Sequence, residues 1–242
     1  IYTDLLWFES TDFQSVYLKI LTTKIWLFFI GSLGFGVFLS ASLRLAYRFT
    51  EGESVIELSS DVKTWLRRLS IFGPIAAVLL LSVTFGSTTS SHWEIILRFN
   101  NYTSFNVIDP QFHRDVAFYV FTMPVLSLIQ SWLVSAIVMI AIATGVTYYL
   151  RTISRGLTFT ISPQLRNHMA ILGALLLFDI AFGYYLNIFQ LVYSDDGAVF
   201  GAAYADINAK IPALRIMIII ALVSGILLLV SSFFRNAFRL VI

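Results

Sequence analysis

The sequence predicts an all-α, polytopic integral membrane helix bundle, and three observations favour this fold class. Of the 242 residues, 58% are hydrophobic and only 12% are charged, about half the charged fraction of a typical soluble domain. The mean hydropathy is +0.82. The run from Val116 to Leu150 carries no formal charge at all. A chain with so little polar surface cannot cover a water-exposed shell, so we expect most of it to face lipid.

Five apolar stretches are long enough to cross the bilayer, since ~20 helical residues span a hydrocarbon core of ~30 Å. We treat the whole chain, residues 1–242, as a single transmembrane domain. The predicted spans are about 25–46, 69–87, 124–150, 166–190 and 211–234. In the first span Ser32, Gly36 and Ser40 recur every four residues, a stripe that we interpret as a packing surface for another helix.

Four further segments have the amphipathic pattern of helices that lie at the membrane surface: about 11–22, 53–66, 91–99 and 109–123. The last of them opens with Asp109-Pro110, which is typical of a helix N-terminus. Pro124 lacks an amide hydrogen and disfavours a helical conformation at Met123. We therefore expect a surface helix that ends at Met123 and is hinged onto the third span at Pro124.

The basic residues are divided unequally between the two sides that five alternating spans define. Ten fall on one side: Arg44, Arg48, Lys63, Arg67, Arg68, Arg151, Arg155, Arg166, Arg235 and Arg239. Six fall on the other: Lys19, Lys24, Arg98, Arg114, Lys210 and Arg215. The positive-inside rule then predicts a cytoplasmic C-terminus for this chain. It places the N-terminal segment and the 88–123 and 193–210 loops outside the cytoplasm, and we expect a further span to precede Ile1.

Two long motifs in these outer segments resemble a known family. Residues 109–121, with Pro124 following, resemble the Asp-Pro-x-Phe-x-x-Asp-Val-x-Phe-Tyr-x-Phe…Pro signature of uncharacterised protein family 0182. Residues 183–186, 193–194 and 199–215 are similar to its second block, and residues 2–10 to its opening block. One position departs from the pattern, because Asn187-Ile188 stands where an Asp-Arg pair is expected.

The resemblance implies a large bacterial polytopic membrane protein, of which this chain is the membrane part. Proteins of this family carry an N-terminal bundle of spans and a large extracytoplasmic C-terminal region, and their activity is not established. The resemblance thus implies a multi-pass protein of a bacterial cell or internal membrane. It also implies that an early span and the soluble region are missing from this chain.

Asp179 is the one charged residue between Asn167 and Ser194, the stretch that contains most of the predicted fourth span. An ionisable residue at bilayer depth is costly unless it is paired, protonated or hydrated. Asp179, Gly183, Asn187 and Gln190 are spaced to form a polar stripe from mid-membrane to the outer face. One interpretation is a proton or cation site with an outward path. The other, which we favour, is a protonated or hydrogen-bonded carboxyl that joins two helices.

Polar and charged residues of the outer loops form a second candidate site for interaction with a partner: Asp109, Arg114, Asp115, Asp206, Asn208, Lys210 and Arg215. Asp195, Asp196 and Asp206 are oxygen donors of the kind that Ca²⁺ prefers, but their spacing matches no EF-hand loop. Helix capping and salt bridges between loops explain these acids better. Lys210 and Arg215 either extend to the interface or meet the acids.

The leading hypothesis is a non-enzymatic scaffold or assembly subunit that presents an extracytoplasmic platform to its own C-terminal domain or to a partner complex. The alternative is a transporter or channel that uses Asp179. An enzyme ranks third, because no nucleophile, base and orienting residue converge in the sequence. We expect the lipid bilayer and a membrane-protein partner, and no metal, cofactor or nucleic acid.

Overall fold

The computed structural model describes residues 2–49, 60–155, 162–194 and 201–233, and every structural statement below refers to these ranges. Five helices within them are long and apolar enough to cross a membrane: Gln14–Phe49, Thr64–Ser91, Phe118–Ser154, Pro163–Tyr193 and Asp206–Phe233. Each contains the described part of one predicted span. The predicted fold class, an all-α multi-pass bundle, is therefore confirmed.

Seven α-helices lie within the described ranges. They are α1 (Tyr2–Ser10), α2 (Gln14–Phe49), α3 (Ser60–Ser91), α4 (Trp93–Asn100), α5 (Met123–Ser154), α6 (Pro163–Gln190) and α7 (Ile211–Phe233). A π-helical turn, Phe118–Thr122, leads directly into α5, and another, Asp206–Lys210, leads into α7. The α6 helix begins as the sequence predicts, because the Ser162 Oγ caps it by accepting from the Leu165 N–H at 3.1 Å.

Two antiparallel helix pairs make up the bundle, with α5 between them. The α2 helix packs along α3 and α6 packs along α7, while α5 contacts α2, α3 and α6. We call the end that carries residues 91–117, 190–194 and 201–210 the loop end. The end that carries residues 44–49, 60–68, 148–155 and 162–166 is the opposite end. The described parts of the 88–123 and 193–210 segments, which are predicted to lie outside the cytoplasm, thus lie at the same end of the bundle.

The small-residue stripe of α2 is a packing surface, as predicted. A Cβ atom added at Gly36 would lie 2.8 Å from the Ser82 Oγ, and one added at Gly86 would lie 2.8 Å from the Ser32 Cβ. The α2 and α3 backbones therefore approach more closely than larger residues would permit. Next to this contact the Phe35 and Phe85 rings stack with their centroids 3.9 Å apart.

Two of the predicted surface helices are not separate elements. Residues 14–22 form the first turns of α2, which continues without a break to Phe49. No glycine or proline lies between residue 14 and the start of the predicted span at residue 25. Residues 60–66 likewise belong to α3, and residues 53–59 of that prediction lie outside the described ranges. The predicted 91–99 helix is present as α4, with its Glu94–Arg98 ion pair formed.

The predicted surface helix over 109–123 is wrong, and so is the break at Pro124. The Asp-Pro start produces only one turn, which ends at His113 in the left-handed region at φ 57°. Backbone pairing between residues 107–109 and 114–116 competes with further helix there. The helix begins at Val116 instead and runs through Pro124 to Ser154. The π-helical turn, in which the Met123 N–H donates to the Phe118 carbonyl, accommodates the proline without a break.

Candidate functional site

Asp109 organises the loop that joins α4 to α5. Its side chain is only 5% exposed and accepts hydrogen bonds from the Phe112 N–H at 2.6 Å and the Tyr119 hydroxyl at 3.1 Å. Its backbone N–H donates to the Arg114 carbonyl at 2.8 Å. One buried carboxylate thus closes a tight turn and ties it to the first turn of the following helix. We call residues 102–117 the Asp109 loop.

Asp115 fixes the other half of the Asp109 loop. Its carboxylate accepts from the backbone N–H groups of Phe105, Asn106 and Ala117 and from the Ser104 hydroxyl. These hydrogen bonds stabilise the charged form, so they hold the pKa of the Asp115 carboxyl below its usual value. The contribution of Asp115 to loop stability is therefore complete above the unfolded-state pKa and is lost as the pH falls through the folded-state pKa.

Aromatic contacts hold the Asp109 loop against the ends of α6 and α7. The Phe112 ring lies 5.0 Å from the Phe189 ring and also packs on the cluster that contains Ile188, Ile211 and Leu214. The Arg114 guanidinium lies 4.8 Å from the centroid of the Phe118 ring and 5.5 Å from that of Phe189. Phe112 was not among the predicted site residues, although it belongs to the motif on which the resemblance rests.

The outer surface of the Asp109 loop is apolar, while the hydrogen bonds of Asp109 and Asp115 fix its backbone. Tyr102, Phe105, Val107 and Ile108 are 47%, 45%, 58% and 66% exposed. The Tyr102 and Phe105 rings rest against Phe121, with centroids 5.6 and 5.7 Å away. A groove of about 530 Å³ runs between this part of the loop and Val192–Tyr193. The loop end therefore presents a shaped apolar surface.

The other predicted outer-face residues form a separate group before α7. The Asp206 carboxylate accepts from the Ala203 N–H at 3.0 Å and lies 3.8 Å from the Lys210 ammonium. The Asn208 side chain donates to the Tyr204 carbonyl. Arg215 is exposed. Within the described ranges no hydrogen bond or ion pair joins this group to Asp109, Arg114 or Asp115, and Asp195 and Asp196 lie outside those ranges.

The predicted polar stripe of α6 is only partly turned toward α5. Asp179 is 7% exposed, and its Oδ2 atom is buried without a hydrogen-bond partner. A Cβ atom at Gly183 would lie 2.8 Å from the Gln130 Nε2 of α5, and the Gln190 Nε2 donates to the Ser127 Oγ at 3.2 Å. Asn187 is exposed and does not share this interface. Asp179, Gly183 and Gln190 thus lie on the buried side, without Asn187.

A second set of buried polar side chains was not predicted. The Ser42 Oγ lies 2.7 Å from the Thr144 Oγ1 and 3.1 Å from the His168 Nε2, so that α2, α5 and α6 are joined by hydrogen bonds. All three side chains are buried. Single serines and threonines in apolar spans carry no sequence signal of pairing. His168 alone gave a hint, as a titratable residue near the start of a span.

An apolar layer separates these two polar regions. It consists of Phe35, Leu39, Leu43, Ala136, Ile140 and Leu172, and Phe35 and Leu39 are completely buried. In the part of the chain that the structure describes, no three His, Asp or Glu side chains lie close enough together to hold a metal ion. The polar side chains around Asp179 and the hydrogen-bonded set of Ser42, Thr144 and His168 are therefore separate along the bundle.

The five apolar helices and the ordered loop end define a polytopic helical membrane protein. The family model described as Uncharacterised protein family (UPF0182) matches residues 1–242, and the chain belongs to this family. The resemblance inferred from the two motifs is thereby confirmed. No solved structure matches the chain.

The similar curated proteins are much longer than this chain. The UPF0182 protein of Frankia alni is 32% identical over 243 residues, which cover 96% of this chain and 23% of the relative. The Thermobifida fusca protein is 33% identical and covers 98% of this chain and 24% of its own length. The Desulforamulus reducens protein is 29% identical, and the match covers 99% of this chain and 28% of the relative. The chain thus spans about a quarter of the length of these relatives.

Proposed function

We propose that this bundle is a non-enzymatic membrane module, a scaffold or assembly subunit whose loop end is a preformed docking platform. The partner is the remaining region of the same polypeptide or another membrane protein. One observation carries the proposal: the Asp109 loop is fixed by its own carboxylates, yet it exposes Phe105, Val107 and Ile108. The platform consists of this loop and the adjoining Val192–Tyr193 turn.

The physical argument rests on preorganisation. A loop that is already ordered loses little conformational entropy when a partner binds it, so its apolar contacts translate more fully into affinity. Contiguous exposed apolar surface on an ordered element is typical of an interaction site. Arg114 and Asp115, beside this surface, supply a charged rim of the kind that sets orientation in interfaces.

Two further observations support the proposed partner. The relatives have about three quarters of their length outside the region matched here, so a large region of the same polypeptide is available to dock. The excess of basic residues at the opposite end supports an extracytoplasmic position for the platform. Both the scaffold role and this orientation are proposals.

We expect a photo-crosslinking amino acid at position 108 to capture protein at the loop end. Ile108 is 66% exposed, so the replacement leaves the packing intact. In the full-length protein in native membranes, the crosslinks should join position 108 to residues outside 1–242 or to a second protein, as mass spectrometry would identify. The matched control is position 62, where Val62 is 46% exposed at the opposite end. Crosslinks to lipid alone at both positions would contradict a docking platform.

The second candidate function is a transporter or channel, and the unpartnered Oδ2 of Asp179 favours it. An unsatisfied buried carboxyl is a recognised feature of proton and cation sites in membranes. The apolar layer formed by Phe35, Leu39, Leu172 and their neighbours argues against a continuous polar path from Asp179 to the opposite end. For this reason the scaffold role remains our proposal.

Asp179→Asn distinguishes the two functions. A scaffold needs no titration at this position, so the variant should assemble normally and leave proton and cation flux in proteoliposomes unchanged. Asn preserves the size of the side chain and removes its charge, which limits any packing defect. Asp179→Cys adds a test of water access, since residues 1–242 contain no cysteine. Labelling of this cysteine by a charged thiol reagent, together with loss of flux in Asp179→Asn, would replace the scaffold by a transporter.

A further inference from the structure

At the opposite end of the bundle α2, α5 and α6 enclose a group of polar side chains that the proposed function does not use. His168 hydrogen-bonds to Ser42 through its Nε2 atom, and its ring meets the Tyr148 ring edge-on at 6.1 Å. Tyr148 packs with Ala46 and Leu165. Arg151, three residues further along α5, lies on the same helical face as Tyr148.

Several polar atoms of this group are buried without a hydrogen-bond partner. They are the Tyr148 hydroxyl, the His168 Nδ1 and the Arg151 Nε. Tyr148 is only 3% exposed and His168 9%. An unsatisfied buried donor or acceptor costs roughly 1–3 kcal/mol, and native proteins contain few of them. Three such atoms in one place indicate a partner that does not come from the described residues.

Arg151 determines the charge of that missing partner. Its guanidinium lies over the Tyr47 ring, 4.2 Å from the centroid. Within the described part of the chain it has no carboxylate within ion-pair distance. An arginine supplies only donors and keeps its positive charge, and the Tyr148 hydroxyl on the same face of α5 can supply another donor. The complementary ligand is therefore an oxyanion.

We propose that Arg151 and Tyr148 bind the phosphate of an anionic lipid headgroup between α2, α5 and α6. Arg151 lies near the end of the apolar helix Phe118–Ser154, where headgroup phosphates meet the hydrocarbon core. Arg151 as a whole is half-buried, so part of this side chain remains accessible from outside the bundle. Basic pockets between transmembrane helices bind anionic headgroups in this way. This site is independent of the platform at the loop end.

The test uses the full-length protein in nanodiscs that contain phosphatidylcholine with a small fraction of phosphatidylglycerol. Native mass spectrometry counts the lipids that remain bound after extraction. The wild type should retain phosphatidylglycerol selectively, and Arg151→Gln should lower its retention about tenfold or more, the effect of losing one charge-assisted hydrogen bond. Tyr148→Phe should lower it by a smaller factor. Arg67→Gln, which removes an exposed charge at the same end, is the matched control and should behave like the wild type.

The remaining outcomes each decide the question. The site would be overturned if the wild type and Arg151→Gln retained phosphatidylglycerol equally. It would also be overturned if Arg67→Gln lost as much phosphatidylglycerol as Arg151→Gln, or if the wild type retained phosphatidylcholine as well as phosphatidylglycerol. In a further outcome, inorganic phosphate replaces the lipid in the wild type but not in Arg151→Gln. That result would overturn the lipid assignment and show that the oxyanion site binds free phosphate. If Arg151→Gln does not fold, Arg151→Lys and Tyr148→Phe carry the comparison, since each keeps most of the packing. Unchanged retention in both of those variants would also overturn the proposal.

Discussion

Asp109→Ala should unfold the Asp109 loop while leaving the five long helices in place. The substitution removes the acceptor of the Phe112 N–H and the Tyr119 hydroxyl, which are left without a partner in a largely apolar setting. The expected loss is about 3 kcal/mol of loop stability, in the range for hydrogen bonds to a buried charged group. Hydrogen exchange measured by mass spectrometry should show faster exchange over residues 105–119 and no change in the interior of α2 and α6.

Two control variants identify the cause of that loss. Asp109→Asn keeps one acceptor oxygen and should cost less than Asp109→Ala. Tyr119→Phe removes only the hydroxyl, and the two substitutions together should show a coupling of about 1–3 kcal/mol, because they act on one contact. Additive effects would mean that the bond between Tyr119 and Asp109 does not stabilise the loop. The same variants test the platform, since an unfolded Asp109 loop should no longer crosslink to a partner from position 108.

Gly86→Ala should loosen the contact between α2 and α3. The added Cβ would lie 2.7 Å from the Phe28 carbonyl oxygen and 2.8 Å from the Ser32 Cβ. Because the nearest atom belongs to the backbone, the helices themselves must shift. Overpacking of this kind costs about 1–3 kcal/mol, and Gly86→Val should cost more. The measurement is the thermal or denaturant midpoint of the purified protein in detergent.

Gly145→Ala is the matched control for Gly86→Ala. It makes the same chemical change within α5, where an added Cβ meets nothing within 4 Å. Alanine has the higher helix propensity, so this variant should be neutral or more stable by up to ~1 kcal/mol. Equal destabilisation by the two variants would show that the close approach of α2 and α3 is not what stabilises the bundle.

The number and position of the long helices could be predicted because they depend on composition over about twenty residues. The prediction failed where a few hydrogen bonds decide between alternatives. Asp109-Pro110 is a correct signal for one helical turn, but the pairing of Val107 with Val116 is not visible in a linear sequence. Pro124 was expected to break a helix, and a π-helical turn accommodates it instead.

The candidate site could be predicted only in part, because some of its contacts are local in the sequence and others are not. Asp109, Arg114 and Asp115 lie close together in sequence, so their common location followed from the motif. The contact of Phe112 with Phe189 and the network of Ser42, Thr144 and His168 join residues that are far apart in the chain. Their meeting depends on which helices are neighbours, which a single sequence does not specify.

The helix that runs from Val116 to Ser154 without a break also has a mechanical consequence. It carries the Asp109 loop at one end and Arg151 near the other. At ~1.5 Å per residue these two sites are ~50 Å apart along the helix axis. Tilting this rod by about 5° at the loop would move its far end by ~4 Å, more than the length of a hydrogen bond. A hinge at Pro124 would have absorbed such a tilt. Without one, a load on the loop end is transmitted across the full thickness of the bilayer.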